Sequence, residues 1–107
     1  MTPLQAWKTI LDKLGEDRMD FPTVPKTNKT PVWFSAKAVG EFVYIDSARH
    51  HRPSSKISVP RKLHYKTFEK IYPIYLRREN GEQVSSEAAA VTVNQVYYYS
   101  LIKHLCQ

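Results

Sequence analysis

The chain holds a single cysteine, Cys106, which excludes an intrachain disulfide and any thiolate-rich metal site. Beside the C-terminal residue, Cys106 is expected to be incidental, the alternative being redox chemistry or disulfide dimerisation. Glycine is also scarce. Three glycines leave no glycine-rich loop to cradle a phosphate or a dinucleotide, and there is no Gly-x-Ser-x-Gly turn to present a nucleophilic serine. No apolar run approaches the roughly 20 residues that a membrane helix requires. The opening MTPLQAWKTILDKLG lacks the basic-then-apolar pattern of a secretory signal. The expectations are a cytoplasmic protein with no membrane partner.

Acidic residues are missing from one place in particular. Between Arg49 and Arg78 nine Lys/Arg meet only one carboxylate, Glu69, whereas the rest of this chain of net charge +6 is slightly acidic. Positive charge is therefore local, and a local excess concentrates phosphates near one surface. An anionic polymer is the leading expected partner.

What is present suffices for one core. A length of 107 residues and 42% hydrophobic content suit a single domain over residues 1–107. Thr2, Pro3 and Gln5 form the cap signature of a first helix, Leu4, Trp7, Leu11 and Leu14 share one face with Ile10 beside them, and Gly15 is placed to end it. The polar stretch from Glu16 to Pro31, with Pro22, Pro25 and Pro31, reads as a wrapping loop. Val32 to Ala38 and Glu41 to Ala48 read as a hairpin turning near Gly40, with Phe42, Tyr44 and Asp46 on the face opposite Val43 and Ile45. Ser47 to Lys62 is expected to be a loop or an irregular edge strand.

Helical periodicity returns at His64 through Phe68, Ile71, Tyr72, Tyr75 and Leu76, with Pro73 expected to kink the helix and Asn80-Gly81 to stop it. Ser85 or Ser86 can cap a short helix over Glu87 to Val91. Thr92, with Gln95 three residues on, can open a final helix that is apolar on several faces and hence central or at an interface. The predicted class is α+β: a small single domain with an N-terminal helix, a β-hairpin and C-terminal helices in a winged-helix-like order.

The expected function is noncatalytic nucleic-acid binding, chiefly DNA phosphate contacts made by Arg49, Arg52, Lys56, Arg61 and Lys62, with Ser54, Ser55 and Ser58 as hydroxyl donors. The alternative is a protein-interaction or homodimerisation module using Tyr97, Tyr98 and Tyr99. These point about 100° apart on a helix, so at least one is expected to reach a groove or a partner. His50, His51 and His64, even with Asp46, lack metal-site spacing, and Asp17, Asp20, Glu41 and Asp46 read as surface carboxylates rather than a nuclease ligand set. No catalytic residue, cofactor or metal is expected.

Overall fold

The computed structural model describes residues 1–27 and 29–107. Its order is α1 (Pro3–Leu14), β1 (Met19–Pro22), β2 (Trp33–Val39), β3 (Phe42–Ser47), β4 (Arg61–Leu63), α2 (Tyr65–Glu79), α3 (Ser85–Val91) and α4 (Gln95–Leu105). The chain is an α+β protein whose four strands form one antiparallel sheet in sequence order.

Helix α1 forms as its sequence dictates. The Thr2 hydroxyl accepts the Gln5 N–H while the Gln5 side chain accepts the Thr2 N–H, a reciprocal cap that satisfies two otherwise orphaned donors. Ala6, Trp7, Ile10 and Leu14 form its buried face, while Leu4 stays exposed. Gly15 ends it at φ 64°, and the Gly15 carbonyl accepts the Ala38 N–H at 2.7 Å, joining the helix end to β2.

The β2–β3 hairpin lies where the alternation puts it, with Val43 and Ile45 buried. Within the stretch expected to be a loop, Met19–Pro22 instead pairs with β2 as an edge strand, where Pro22 is tolerated because an outer N–H is not needed. Asn28, in the same stretch, lies outside the described residues. At the opposite edge Arg61–Leu63 pairs with β3.

Pairing register sorts the sheet into two faces. Phe21, Phe34, Ala36, Ala38, Val43, Ile45 and Leu63 form the apolar face against the helices. Trp7 anchors that layer: its ring lies 4.9 Å from Phe68 and its indole N–H donates to the Glu41 carbonyl at 3.1 Å. Such an anchored aromatic combines large apolar burial with a satisfied polar end. Helix α2 runs unbroken through Pro73, which is on its exposed side, so the carbonyl that loses its partner can be met by water. Leu76, expected in the buried stripe, is exposed, and Ile74 is buried in addition.

Two helix starts differ from expectation. Helix α3 begins at Ser85 behind Val84, with no side-chain cap. Helix α4 begins at Gln95 behind Asn94, while the Thr92 hydroxyl accepts the Asn94 N–H at 3.0 Å and so shapes the turn before the helix.

The winged-helix comparison fails at α4. A recognition helix needs a free face for a DNA groove, but Tyr97 through Ile102 and Leu105 are all buried, and α4 packs against α1, α2 and β1. The expected wing is the centre of the sheet.

Candidate nucleic-acid interface

The basic run from Arg49 to Arg78 divides among separate places. Arg77 is engaged by carboxylates, with Nε 3.2 Å from Glu82 and Nη1 2.8 Å from Glu87. Arg78 donates to the Val24 carbonyl at 2.7 Å and its guanidinium lies 4.8 Å from the centre of the Tyr99 ring. It lines a cavity of about 540 Å³ whose other cations include Lys26, and Lys26 itself donates to the Glu82 carbonyl. Cations used in this way hold the fold together and are poorly placed for a phosphate.

Arg61 and Lys62 are neighbours on β4, and strand alternation sends them to opposite faces. Arg61 is paired with Ile45 on the helix side, donates to Asn94 Oδ1 at 2.8 Å and lies 5.7 Å from the Tyr97 ring centre. Lys62 is paired with Tyr44 on the other side, its ammonium 3.8 Å from the Phe42 ring centre.

Arg49, Arg52, Ser54, Ser55 and Lys56 lie in the loop between β3 and β4, which is an ordered structure. The Asp20 carboxylate, its side chain only 3% exposed, accepts the N–H groups of Arg49 and His50 and lies 2.8 Å from His51 Nδ1. Burial opposes ionisation of this carboxyl, but those hydrogen bonds outweigh it and hold its pKa at about 2. The His51 ring stacks on Trp33 with centres 3.9 Å apart. Residues 53–55 then run beside Trp33, where the Trp33 N–H donates to the Pro53 carbonyl and the Ser55 N–H to the Trp33 carbonyl, each at 2.8 Å.

Arg52, Ser54, Ser55 and Lys56 line one open depression of about 670 Å³, so part of the predicted set is brought together. Ser54 is not the hydroxyl donor expected, whereas the Ser55 hydroxyl serves the fold as an acceptor. Ser54 accepts the Ala48 N–H and gives its only proton to the Ser55 carbonyl, and Ser55 accepts from the Tyr97 hydroxyl at 3.4 Å. Both stabilise the loop. The exposed side chains of Arg49, Arg52 and Lys56 are the loop's contribution to charge.

The expectation that a tyrosine of the last helix reaches a partner is corrected. Tyr97, Tyr98 and Tyr99 are 7%, 2% and 6% exposed because α4 is enclosed on several sides. Tyr98 accepts the His64 N–H at 3.2 Å and returns its proton to the His64 carbonyl at 3.4 Å. His64 thus serves the β4–α2 junction and His51 pairs with Asp20, so the histidines do not gather about Asp46. Among the described residues no group of three or more His, Cys, Asp or Glu side chains is placed to hold a metal ion.

Sequence reasoning missed the surface on the sheet face turned away from the helices. Lys37, Tyr44 and Lys62 form one cross-strand row over β2, β3 and β4. Beside it Arg18 donates to the Ser35 hydroxyl at 2.9 Å and the Ser47 carbonyl at 3.1 Å, and lies 3.6 Å from Asp46. Arg18, Lys37, Val39, Tyr44, Asp46 and Pro60 enclose a cavity of about 350 Å³. The hairpin alternation already put Tyr44 on this face, but adding Lys62 required the β3–β4 pairing, which no local pattern announces.

No helix of the described residues is long and apolar enough to cross a membrane. No protein-family model, curated protein or solved structure matches the chain.

Proposed function

We propose that the protein binds nucleic acid without catalysing a reaction on it, using the helix-free sheet face and the adjoining basic loop rather than a helix in a groove. One observation carries this reading: Lys37 and Lys62 flank Tyr44 on three adjacent strands, with Arg18 beside them. Ammonium groups on either side of a half-exposed aromatic ring match a chain that alternates phosphates and bases. Arg49, Arg52 and Lys56 extend the positive charge, while Arg61, Arg77 and Arg78 are engaged within the fold.

The test is a binding titration with a labelled oligonucleotide at several salt concentrations. The logarithm of affinity is expected to fall linearly with the logarithm of salt, and Lys37→Ala with Lys62→Ala should flatten the line by about 0.7 to 0.9 for each phosphate left without its lysine. Affinity independent of salt, or a line unchanged in the double variant, contradicts the proposal.

A further inference from the structure

We infer that the ligand of this face is single-stranded, and that Tyr44 is the platform on which a base stacks; the inference rests on the nucleic-acid reading above. A duplex keeps its bases stacked on one another and offers a convex phosphate surface, so it can use an aromatic ring on a sheet only by unstacking a base step, which costs free energy. A single strand exposes base faces, and stacking on an aromatic side chain is the common way proteins hold them. The last helix is poorly suited to reading a groove in its place, because Tyr97 through Ile102 and Leu105 of α4 are buried.

Two aromatic residues lie on this face of β3, Phe42 and Tyr44, about 7 Å apart by strand geometry. They are not equivalent. The Lys62 ammonium already sits over the Phe42 ring, 3.8 Å from its centre. Tyr44 instead lines the cavity of about 350 Å³, a volume within the range of small-molecule pockets and large enough for one nucleobase. Lys37 and Lys62 stand on either side of Tyr44 at cross-strand spacing, about 5 Å between β-carbons; Lys37 lines the cavity, and the Lys62 ammonium, resting over Phe42, places positive charge two residues along the strand, where the phosphate of a neighbouring nucleotide can meet it.

The carboxylate in the cavity does not spoil this arrangement. Asp46 Oδ1 accepts the Ser47 N–H at 2.7 Å, and Oδ2 faces Arg18 at 3.6 Å, so its charge is answered locally. The polar side of the cavity therefore suits a base edge, and Lys37 on its rim, with Lys62 beyond Tyr44, suits the backbone. Charge and ring together select a single strand over an acidic polypeptide, which supplies charge without planar bases.

The experiment compares oligothymidylate, oligouridylate, a duplex of matching length and poly-glutamate by fluorescence anisotropy, using wild type, Tyr44→Ala and Tyr44→Phe. The single strands should bind more tightly than the duplex or poly-glutamate. Tyr44→Ala should weaken single-strand binding about 5- to 150-fold, the equivalent of losing one stacked base, and leave duplex binding unchanged. Tyr44→Phe, which keeps the ring, should bind like wild type and guards against a folding defect in the alanine variant. Single-strand affinity unaffected by Tyr44→Ala, or a duplex or poly-glutamate that binds as well as a single strand, overturns this inference while leaving a phosphate-binding surface standing in the first two cases. Failure of every nucleic acid to bind overturns both readings.

Discussion

The Asp20 carboxylate meets the His51 imidazole at 2.8 Å and so ties edge strand β1 to the basic loop 31 residues further along the chain. Through the same carboxylate the main-chain N–H groups of Arg49 and His50 are fixed. Exposed cations on a floating loop lose much conformational freedom when they meet a ligand, and a loop already tied down loses less.

Folding lowers the Asp20 carboxyl from its ordinary 3.8 to about 2. A depressed carboxyl favours the folded state when ionised, so its contribution is complete above about pH 4 and disappears as pH falls toward 2. Its partners Arg49, His50 and His51 are exposed, and solvent screening on their side leaves on the order of 1 kcal/mol at neutral pH. Asp20→Asn should cost about that much in urea denaturation at pH 7 and nearly nothing at pH 2. Amide exchange at Arg49 and His50 should quicken in the variant; unchanged exchange would show that the clamp does not order the loop.

The Tyr98 hydroxyl serves both backbone groups of His64 at the passage from β4 into α2, and burial pushes its pKa up so that the proton it donates is retained. Tyr98→Phe leaves both groups without this partner in a half-buried site. A loss of about 1 to 2 kcal/mol in chemical denaturation is expected. A variant as stable as wild type would mean that water replaces the hydroxyl.

Arg61 and Lys62 carry the same charge one residue apart, yet they should behave differently. Lys62→Ala is expected to weaken nucleic-acid binding and lower the salt slope by about 0.7 for a single strand. Arg61→Ala removes a hydrogen bond to Asn94 and a cation near Tyr97, so it should change stability by roughly 0.5 to 1 kcal/mol with affinity nearly intact. Equal losses of affinity in the two variants would mean that the ligand wraps the edge of the sheet.

Cys106 lies partly buried with its thiol donating to the Ala6 carbonyl at 3.4 Å, and burial raises its pKa although Lys13 opposes the effect. It should react slowly with a maleimide at pH 7 in the folded protein and rapidly in denaturant. Rapid labelling under native conditions would show that the last turn of α4 opens readily.

Local signals and long-range ones fared differently. The Thr2–Gln5 cap, the Gly15 stop and the Val43/Ile45 alternation are decided by residues within a few positions of one another, and each is present in the fold. Strand β1 was hidden because four residues ending in proline have little pattern of their own, and only pairing with β2 makes them a strand. The enclosure of the three tyrosines was equally invisible: helical geometry separates their directions, but only the packing of α1, α2 and β1 around α4 decides that all three point into protein.

Charge was legible as a count and illegible as a surface. The excess between residues 49 and 78 is real, but pairing sends Arg61 and Lys62 apart, and Glu82 and Glu87, beyond the run, engage Arg77. Arg18 and Lys37, from the slightly acidic remainder, join Lys62 on the sheet. No one-dimensional sum of charge could have assembled that group.

The most direct measurement is a ¹H–¹⁵N correlation spectrum of the labelled protein recorded while unlabelled oligothymidylate is added. Shifts should concentrate at Lys37, Tyr44, Lys62 and the 48–60 loop, with the amides of α4 nearly still. Shifts centred on α3 and α4 instead, with the sheet face unmoved, would contradict the sheet as the binding surface.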